Sequence, residues 1–154
     1  MSNTADSCIF CLIARGDAPA ALVYRDDRVL AFMDLFPLSR GHLLVVPRAH
    51  AENIFEISET DMLAVAALQL KIAEVLKAEL EPDGIAVYQA NGTAAGQTVF
   101  HYHVHLIPRG DGEGFDLANR KTADRRELSR LATRLRESLQ RGPQNPAVVG
   151  VPGR

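Results

Sequence analysis

The segment 101–106 alternates histidines with apolar residues, and it constrains the fold more than any other part of the chain. Its letters are HYHVHL, and Pro108 follows two residues later. Successive side chains of a β-strand point to opposite faces of the sheet, so the alternation predicts a strand over residues 99–107. The three imidazoles would then share one face of the sheet, and the apolar residues would anchor the other face in the core.

Short apolar runs and two longer stretches predict the remaining elements. The runs are joined by short turns, which favours antiparallel pairing. The longer stretches carry apolar residues at helical spacing, and the first begins at Ser58, which can cap a helix. The predicted strands are 21–25, 29–34, 42–46 and 85–89, and the predicted helices are 58–80 and 124–140. We therefore expect an α+β domain, with an antiparallel five-stranded sheet, one long helix and one C-terminal helix.

Composition limits the class of protein. The 154 residues are 47% hydrophobic and 23% charged, with a net charge of −2, which is typical of one globular domain. We expect that domain over residues 1–141 and a Pro/Gly-rich tail over 142–154. The charge gives no indication of a nucleic-acid or membrane partner. The N-terminus is polar and no apolar run is long enough to span a bilayer, so we expect a cytoplasmic protein with reduced thiols.

A row of imidazoles suits two kinds of chemistry. Neutral imidazole is a common metal ligand. It is also a nucleophile toward phosphorus or carbon, provided that one ring nitrogen is bare and an acceptor holds the other. His103 is flanked by His101 and His105, so it is well placed to be oriented in this way.

Residues 96–107, with the letters GQTVFHYHVHLI, resemble the signature of the histidine triad (HIT) superfamily of nucleotide hydrolases and transferases. Three further segments match small HIT proteins in the same order: CIFC at 8–11, VLAFMD at 29–34 and GHLLVVP at 41–47. The resemblance covers roughly residues 8–109. It implies the α+β fold described above and a homodimer in which two sheets join around the long helix.

The resemblance also implies residue roles. In the family, the middle histidine attacks the α-phosphate of a nucleotide derivative and forms a covalent nucleotidyl-histidine, which water then hydrolyses. That position is His103 here, and the other implied catalytic residues are His105, His42 and Gln97. The implied substrate-binding residues include His103 and His105; the others are Gln97 and Thr98 for the phosphate or leaving atom, Asp34 for the ribose hydroxyls, and Phe32 and Leu35 for the base.

The chain departs from the family pattern in two respects. Small phosphoramidase-type members usually carry an asparagine seven residues before the glutamine, where this chain has Ala90. The neighbouring Asn91 is our candidate for that substrate contact. The chain also has no tryptophan, which some eukaryotic members use to line a partner's site. Both departures concern the leaving group.

Cys8 and Cys11 form a CxxC pair, which by itself fits either a redox pair or half of a metal site. A structural zinc ion needs four ligands, and any of the five histidines could complete the set. Some bacterial HIT proteins resemble this sequence at the four positions through which they bind zinc: Cys8, Cys11, His50 and His101. We therefore expect structural zinc at these residues, with no open position for catalysis.

The principal functional hypothesis is a nucleotide hydrolase that cleaves purine nucleoside 5′-phosphoramidates, of the AMP or GMP type, through His103. One alternative is a dinucleoside polyphosphate hydrolase, in which the same nucleophile meets the same α-phosphate. Another is a zinc-stabilised nucleotide-binding module whose triad is vestigial. A third is a thiol redox protein that uses Cys8 and Cys11.

Overall fold

The computed structural model describes residues 4–116 and 120–142, and within them it contains a five-stranded antiparallel sheet and three α-helices. The helices are α1 Ile9–Arg15, α2 Glu59–Leu80 and α3 Arg125–Arg141, and the strands are β1 Leu22–Arg25, β2 Val29–Met33, β3 Leu43–Pro47, β4 Gly84–Tyr88 and β5 Val104–Arg109. The strand order is β1-β2-β3-β5-β4. The predicted α+β class is confirmed. Of the predicted tail at 142–154, all but the first residue lies outside the described residues.

The sheet is covered on both faces. On one face, strand residues such as Val45 and Leu106 pack with Ile72 and Leu76 of α2 and with Leu135 of α3. On the other face, α1 packs against β2 and β3. Strands β2 and β3 are therefore buried at all five of their positions.

The two predicted helices are confirmed, with α2 beginning one residue later than predicted and α3 shifted by one residue at both ends. Ser58 caps α2, because its hydroxyl oxygen accepts from the Asp61 N–H at 3.1 Å. Asp124 caps α3 in the same way, accepting from the backbone N–H groups of Arg126 and Glu127. Among the described helices, none combines the length and apolar character needed to cross a membrane.

Helix α1 was missing from the predicted set of elements. It runs from Ile9 to Arg15 and ends at Gly16, whose φ of 87° is left-handed. A helix of 7 residues is not stable alone, and α1 is stabilised by burying Phe10 and Ile13 against the sheet. The sequence does carry a signal for this helix, because an apolar run is followed by Arg15 and Gly16, which are typical of a helix C-terminus. Because α1 begins directly after Cys8, Cys8 and Cys11 lie one helical turn apart on the same face of α1.

The predicted strand over 99–107 is wrong in its first half, because β5 begins at Val104. Its ladder with β3 ends at the pair Val45 and Val104. Pro47 has no N–H to extend that ladder, and its carbonyl accepts from the His101 ring instead. The predicted alternation of faces is nevertheless confirmed, since Tyr102 packs into the α2 side of the core.

Candidate active site and adjoining metal centre

The five histidines form two adjoining clusters. His50 and His101 lie together, with ring centroids 5.3 Å apart. His42 and His103 lie on either side of His105, at centroid distances of 5.1 and 4.9 Å. Phe10 of α1 contacts both clusters, because its ring lies edge-on to His101 and His103 at 5.8 and 5.2 Å. The first cluster also contains the two cysteines.

In the first cluster, four donor atoms converge on one point. The Cys8 sulfur lies 3.4 Å from Nδ1 of His101, and the Cys11 sulfur lies 3.3 Å from Nδ1 of His50 and 3.5 Å from Nδ1 of His101. All four donor atoms lie within 4.8 Å of one another. Ligand atoms of a tetrahedral zinc site are about 3.4–3.8 Å apart, so the spacing fits a zinc ion.

The chemistry of the donors also fits zinc. His101 is fully buried, and its Nε2–H donates to the Pro47 carbonyl at 2.8 Å, which leaves Nδ1 bare toward the sulfurs. Burial lowers the pKa of His101 to about 4, so the ring is neutral. Burial also raises the pKa of the Cys11 thiol to about 12. A bound zinc ion would supply the charge that keeps both thiols deprotonated, and it would join α1 to the histidine segment.

In the second cluster, His103 has one ring nitrogen committed and one bare. Its Nδ1 lies 2.6 Å from the His101 carbonyl oxygen, which can only accept, so Nδ1 carries the proton. Burial lowers the pKa of His103, which keeps the ring neutral and leaves a lone pair on Nε2. The side chain lines a cavity of about 650 Å³. This is the arrangement that a histidine nucleophile requires.

His42 and His105 are joined in a directed chain of hydrogen bonds. Gly41 precedes His42 with a left-handed φ of 92°, and a Cβ there would force the Leu80 side chain to shift, so the turn before His42 favours glycine. The Leu38 N–H donates to His42 Nδ1 at 3.0 Å, so the His42 proton lies on Nε2, which is 2.9 Å from His105 Nδ1. His105 therefore accepts at Nδ1 and carries its own proton on Nε2. Burial lowers the pKa of His42 to about 4 and that of His105 to about 3.

Asp34 is buried beside the hydrogen-bonded pair His42 and His105. Its Oδ1 accepts from the Phe36 N–H at 2.8 Å, and its Oδ2 accepts from Arg120 at 3.0 Å. The same Oδ2 is 3.3 Å from His42 Nε2. Sequence reasoning missed Arg120, because it is 86 residues away from Asp34 in the chain and belongs to no recognised motif.

The structure brings six of the expected site residues to one cavity. They are Phe32, Asp34, Leu35, Thr98, His103 and His105, and Arg120 lies among them. His42 is fully buried and reaches the cavity through His105.

Gln97 and Asn91 are not among the described residues that line this cavity. The Gln97 amide accepts from the Gly92 N–H and donates to the carbonyls of Glu52 and Val99. Asn91 accepts from the Ile54 N–H at 2.8 Å and exchanges two hydrogen bonds with the Gln89 side chain. Both side chains therefore hold the loops that lead into the histidine segment.

Comparison with known proteins agrees with this geometry. The family model described as "HIT domain" matches residues 15–112. "Protein hit" of Bacillus subtilis is 47% identical over 125 residues, which are 79% of this chain and 85% of that protein.

Two solved structures share the fold. A Zn-bound histidine triad family protein from Mycobacterium smegmatis has a TM-score of 0.77 and 35% identity, over 90% of this chain and 96% of that chain. A hypothetical histidine triad nucleotide-binding protein from Sulfolobus tokodaii has a TM-score of 0.79 and 31% identity, over 87% of this chain and 93% of that chain. The chain therefore belongs to the HIT domain family, and its Cys₂His₂ cluster fits the zinc-containing branch.

Proposed function

We propose that this protein is a nucleotide hydrolase that cleaves purine nucleoside 5′-phosphoramidates through a covalent intermediate on His103. The observation that carries the proposal is the His103 ring. Its Nδ1–H is committed to the His101 carbonyl, its Nε2 keeps a lone pair, and its side chain lines a cavity large enough for a nucleotide. The similar Sulfolobus tokodaii protein is described as nucleotide-binding, which supports the same substrate class.

The reaction has two displacements at phosphorus. In the first, the Nε2 lone pair of His103 forms a bond to the α-phosphorus while the bond from phosphorus to the amine nitrogen breaks. The departing amine nitrogen takes a proton from solvent water, and the Nε2–H of the neutral His105 ring can donate a hydrogen bond to a phosphate oxygen. In the second, water forms a P–O bond as the P–Nε2 bond breaks. The water proton passes to solvent, which balances the proton taken by the amine, and the nucleoside monophosphate leaves with the His103 ring restored.

The cavity residues supply binding. Thr98 offers a hydroxyl to the phosphate, Asp34 offers its carboxylate to the ribose hydroxyls, and Phe32 and Leu35 face the base. His42 acts on the site through its hydrogen bond to His105, and Gln97 acts on it through its hydrogen bond to the Val99 carbonyl. Asn91 belongs to the same supporting loop network, from which it is our candidate for the substrate contact that the family makes at the position of Ala90.

Two other activities would use the same centre. A dinucleoside polyphosphate presents the same α-phosphate but loses a nucleotide instead of an amine, so relative turnover of the two substrates separates them. A binding module would hold a nucleotide without forming an adduct. The redox alternative is disfavoured by the two imidazoles that lie against both sulfurs, because these complete a metal donor set.

A homodimer is the assembly that we propose. Helix α2 exposes Leu63 and Leu70, which are 63% and 64% accessible, and Val87 on edge strand β4 is 53% accessible. An edge strand and exposed apolar residues on a helix are each suited to contact with a second copy of the chain. Sedimentation that gives the mass of one chain would contradict this. We also propose a domain over residues 1–141 with a tail at 142–154, and a cytoplasmic location.

Mass spectrometry of the protein mixed with a slowly hydrolysed adenosine 5′-phosphoramidate tests the mechanism. We expect an increase equal to one adenylyl group, located by fragmentation on His103 and absent from the His103→Ala variant. An adduct on another residue, or turnover without any dependence on His103, would overturn the proposed mechanism. Nucleotide binding without adduct or turnover would favour the binding module.

A further inference from the structure

Arg120 places a positive charge in the cavity, and the roles assigned above do not use it. Its side chain is 25% exposed and lines the cavity together with His103 and His105. The backbone nearby is anchored, because the Ala123 N–H donates to the Leu35 carbonyl at 2.9 Å. The guanidinium therefore belongs to the cavity wall and is not a freely moving surface group.

The partner of Arg120 is a carboxylate that needs a cation. The Asp34 side chain is 9% exposed, and its Oδ2 lies 3.0 Å from Nη1 of Arg120. A carboxylate buried to this degree is costly without a paired charge. His42 is also close, but it is neutral because burial lowers its pKa to about 4. Of the described lysines and arginines, Arg120 is the one with an ion-pair contact to Asp34.

The charge balance changes when a nucleotide enters. The Asp34 and Arg120 charges compensate one another across their ion pair, and a phosphate adds at least one negative charge near an acidic side chain. Arginine carries five N–H donors in a planar fork, and the bond to Asp34 uses one of them. The fork can therefore donate to a carboxylate on one edge and to a phosphate oxygen on another.

We propose that Arg120 is a substrate-binding residue that bridges the Asp34 carboxylate and the phosphate of the bound nucleotide. The inference rests on the proposed function, since it requires that the cavity takes a nucleotide. Asp34 then has two tasks, to orient the guanidinium and to accept from the ribose. Arg120 would make the site distinguish a nucleotide from the corresponding nucleoside.

Binding of AMP and of adenosine, measured by calorimetry on the full chain, tests this role. We expect Arg120→Gln to weaken AMP binding by about 10- to 100-fold, the usual value of a charged hydrogen bond, while adenosine affinity changes less than about twofold. Arg126→Gln is the matched control, because it removes the same charge from the first turn of α3 at a residue that does not line the cavity. Both ligands should bind that variant as they bind the unchanged protein.

The outcomes separate the inference from the function on which it rests. Equal weakening of AMP and adenosine in Arg120→Gln would show that the residue acts through the shape of the pocket, and unchanged AMP affinity would show no contact; either overturns the proposal. If Arg120→Gln does not fold, Arg120→Lys keeps the charge without the fork. It should still weaken AMP several-fold and leave adenosine unchanged, and equal effects would again overturn the proposal. Failure of the unchanged protein to bind AMP would instead overturn the proposed function.

Discussion

His101 and His103 are two residues apart, yet they belong to different clusters and present opposite ring nitrogens. His101 is anchored through Nε2 and turns Nδ1 to the two sulfurs, whereas His103 is anchored through Nδ1 and keeps Nε2 bare. The anchors are carbonyls of Pro47 and of His101 itself. A backbone acceptor thus decides which nitrogen of each neutral imidazole keeps its lone pair.

Replacing His103, the candidate nucleophile of the second cluster, should have the largest effect on turnover. His103→Ala removes the nucleophile, so turnover of adenosine 5′-phosphoramidate should fall by about 10³-fold or more. The zinc content should remain one ion per chain, because none of the four donors is changed. Steady-state kinetics and metal analysis of the same preparation check both statements. Loss of zinc together with activity would show that the clusters are not separable.

Replacing a residue of the first cluster should instead act mainly on stability. Cys11→Ala removes one of four donors, so zinc should be lost and the Tm should fall by about 8 °C or more. Turnover should decrease less than in His103→Ala, because the carbonyl that holds His103 is still present. Arg15→Ala, in the exposed last turn of α1, is the control and should keep its zinc. An unchanged Tm after zinc loss would contradict a structural role.

The pH dependence of stability should report the buried His42, which is hydrogen-bonded to His105. Because burial lowers the folded-state pKa of His42 to about 4, the unfolded chain takes up a proton at higher pH than the folded chain does. The stability that neutral His42 contributes is fully present above about pH 6.5, the pKa of histidine in the unfolded chain. It is lost as the pH falls toward 4, the folded-state pKa. Urea unfolding of His42→Asn should show a smaller loss between these pH values. An identical slope in both proteins would show that His42 is not held neutral.

The smallest effects should distinguish a residue that lines the cavity from a residue in the supporting loops. Thr98→Val removes a hydroxyl that lines the cavity, so KM should rise about 2- to 10-fold. Asn91→Ala removes loop hydrogen bonds, so it should cost about 1 kcal/mol in unfolding free energy and change KM less than twofold. Kinetics and urea unfolding of both variants provide the comparison. A larger KM effect in Asn91→Ala would assign it a direct substrate contact.

Much of the fold could be predicted from the sequence because the decisive patterns are local. Helix α2 follows from its N-cap at Ser58 and from apolar residues at helical spacing, and the alternation of faces in the histidine segment follows from strand geometry. The bounds of β5 could not be predicted, because Pro47 in another strand ends the ladder. Helix α1 was missed because it is stable only against the sheet.

The candidate site divides in the same way. Histidine, cysteine and the motif residues are recognisable one by one, since each carries its chemistry in its own side chain and its near neighbours. The sequence by itself therefore determined the family, and the resemblance to that family named the candidate nucleophile and the candidate metal donors. Only the tertiary structure decided which nitrogen of each ring is bare, and only it placed Arg120 on Asp34. Those features depend on carbonyls and charges brought from distant parts of the chain, and no local pattern records them.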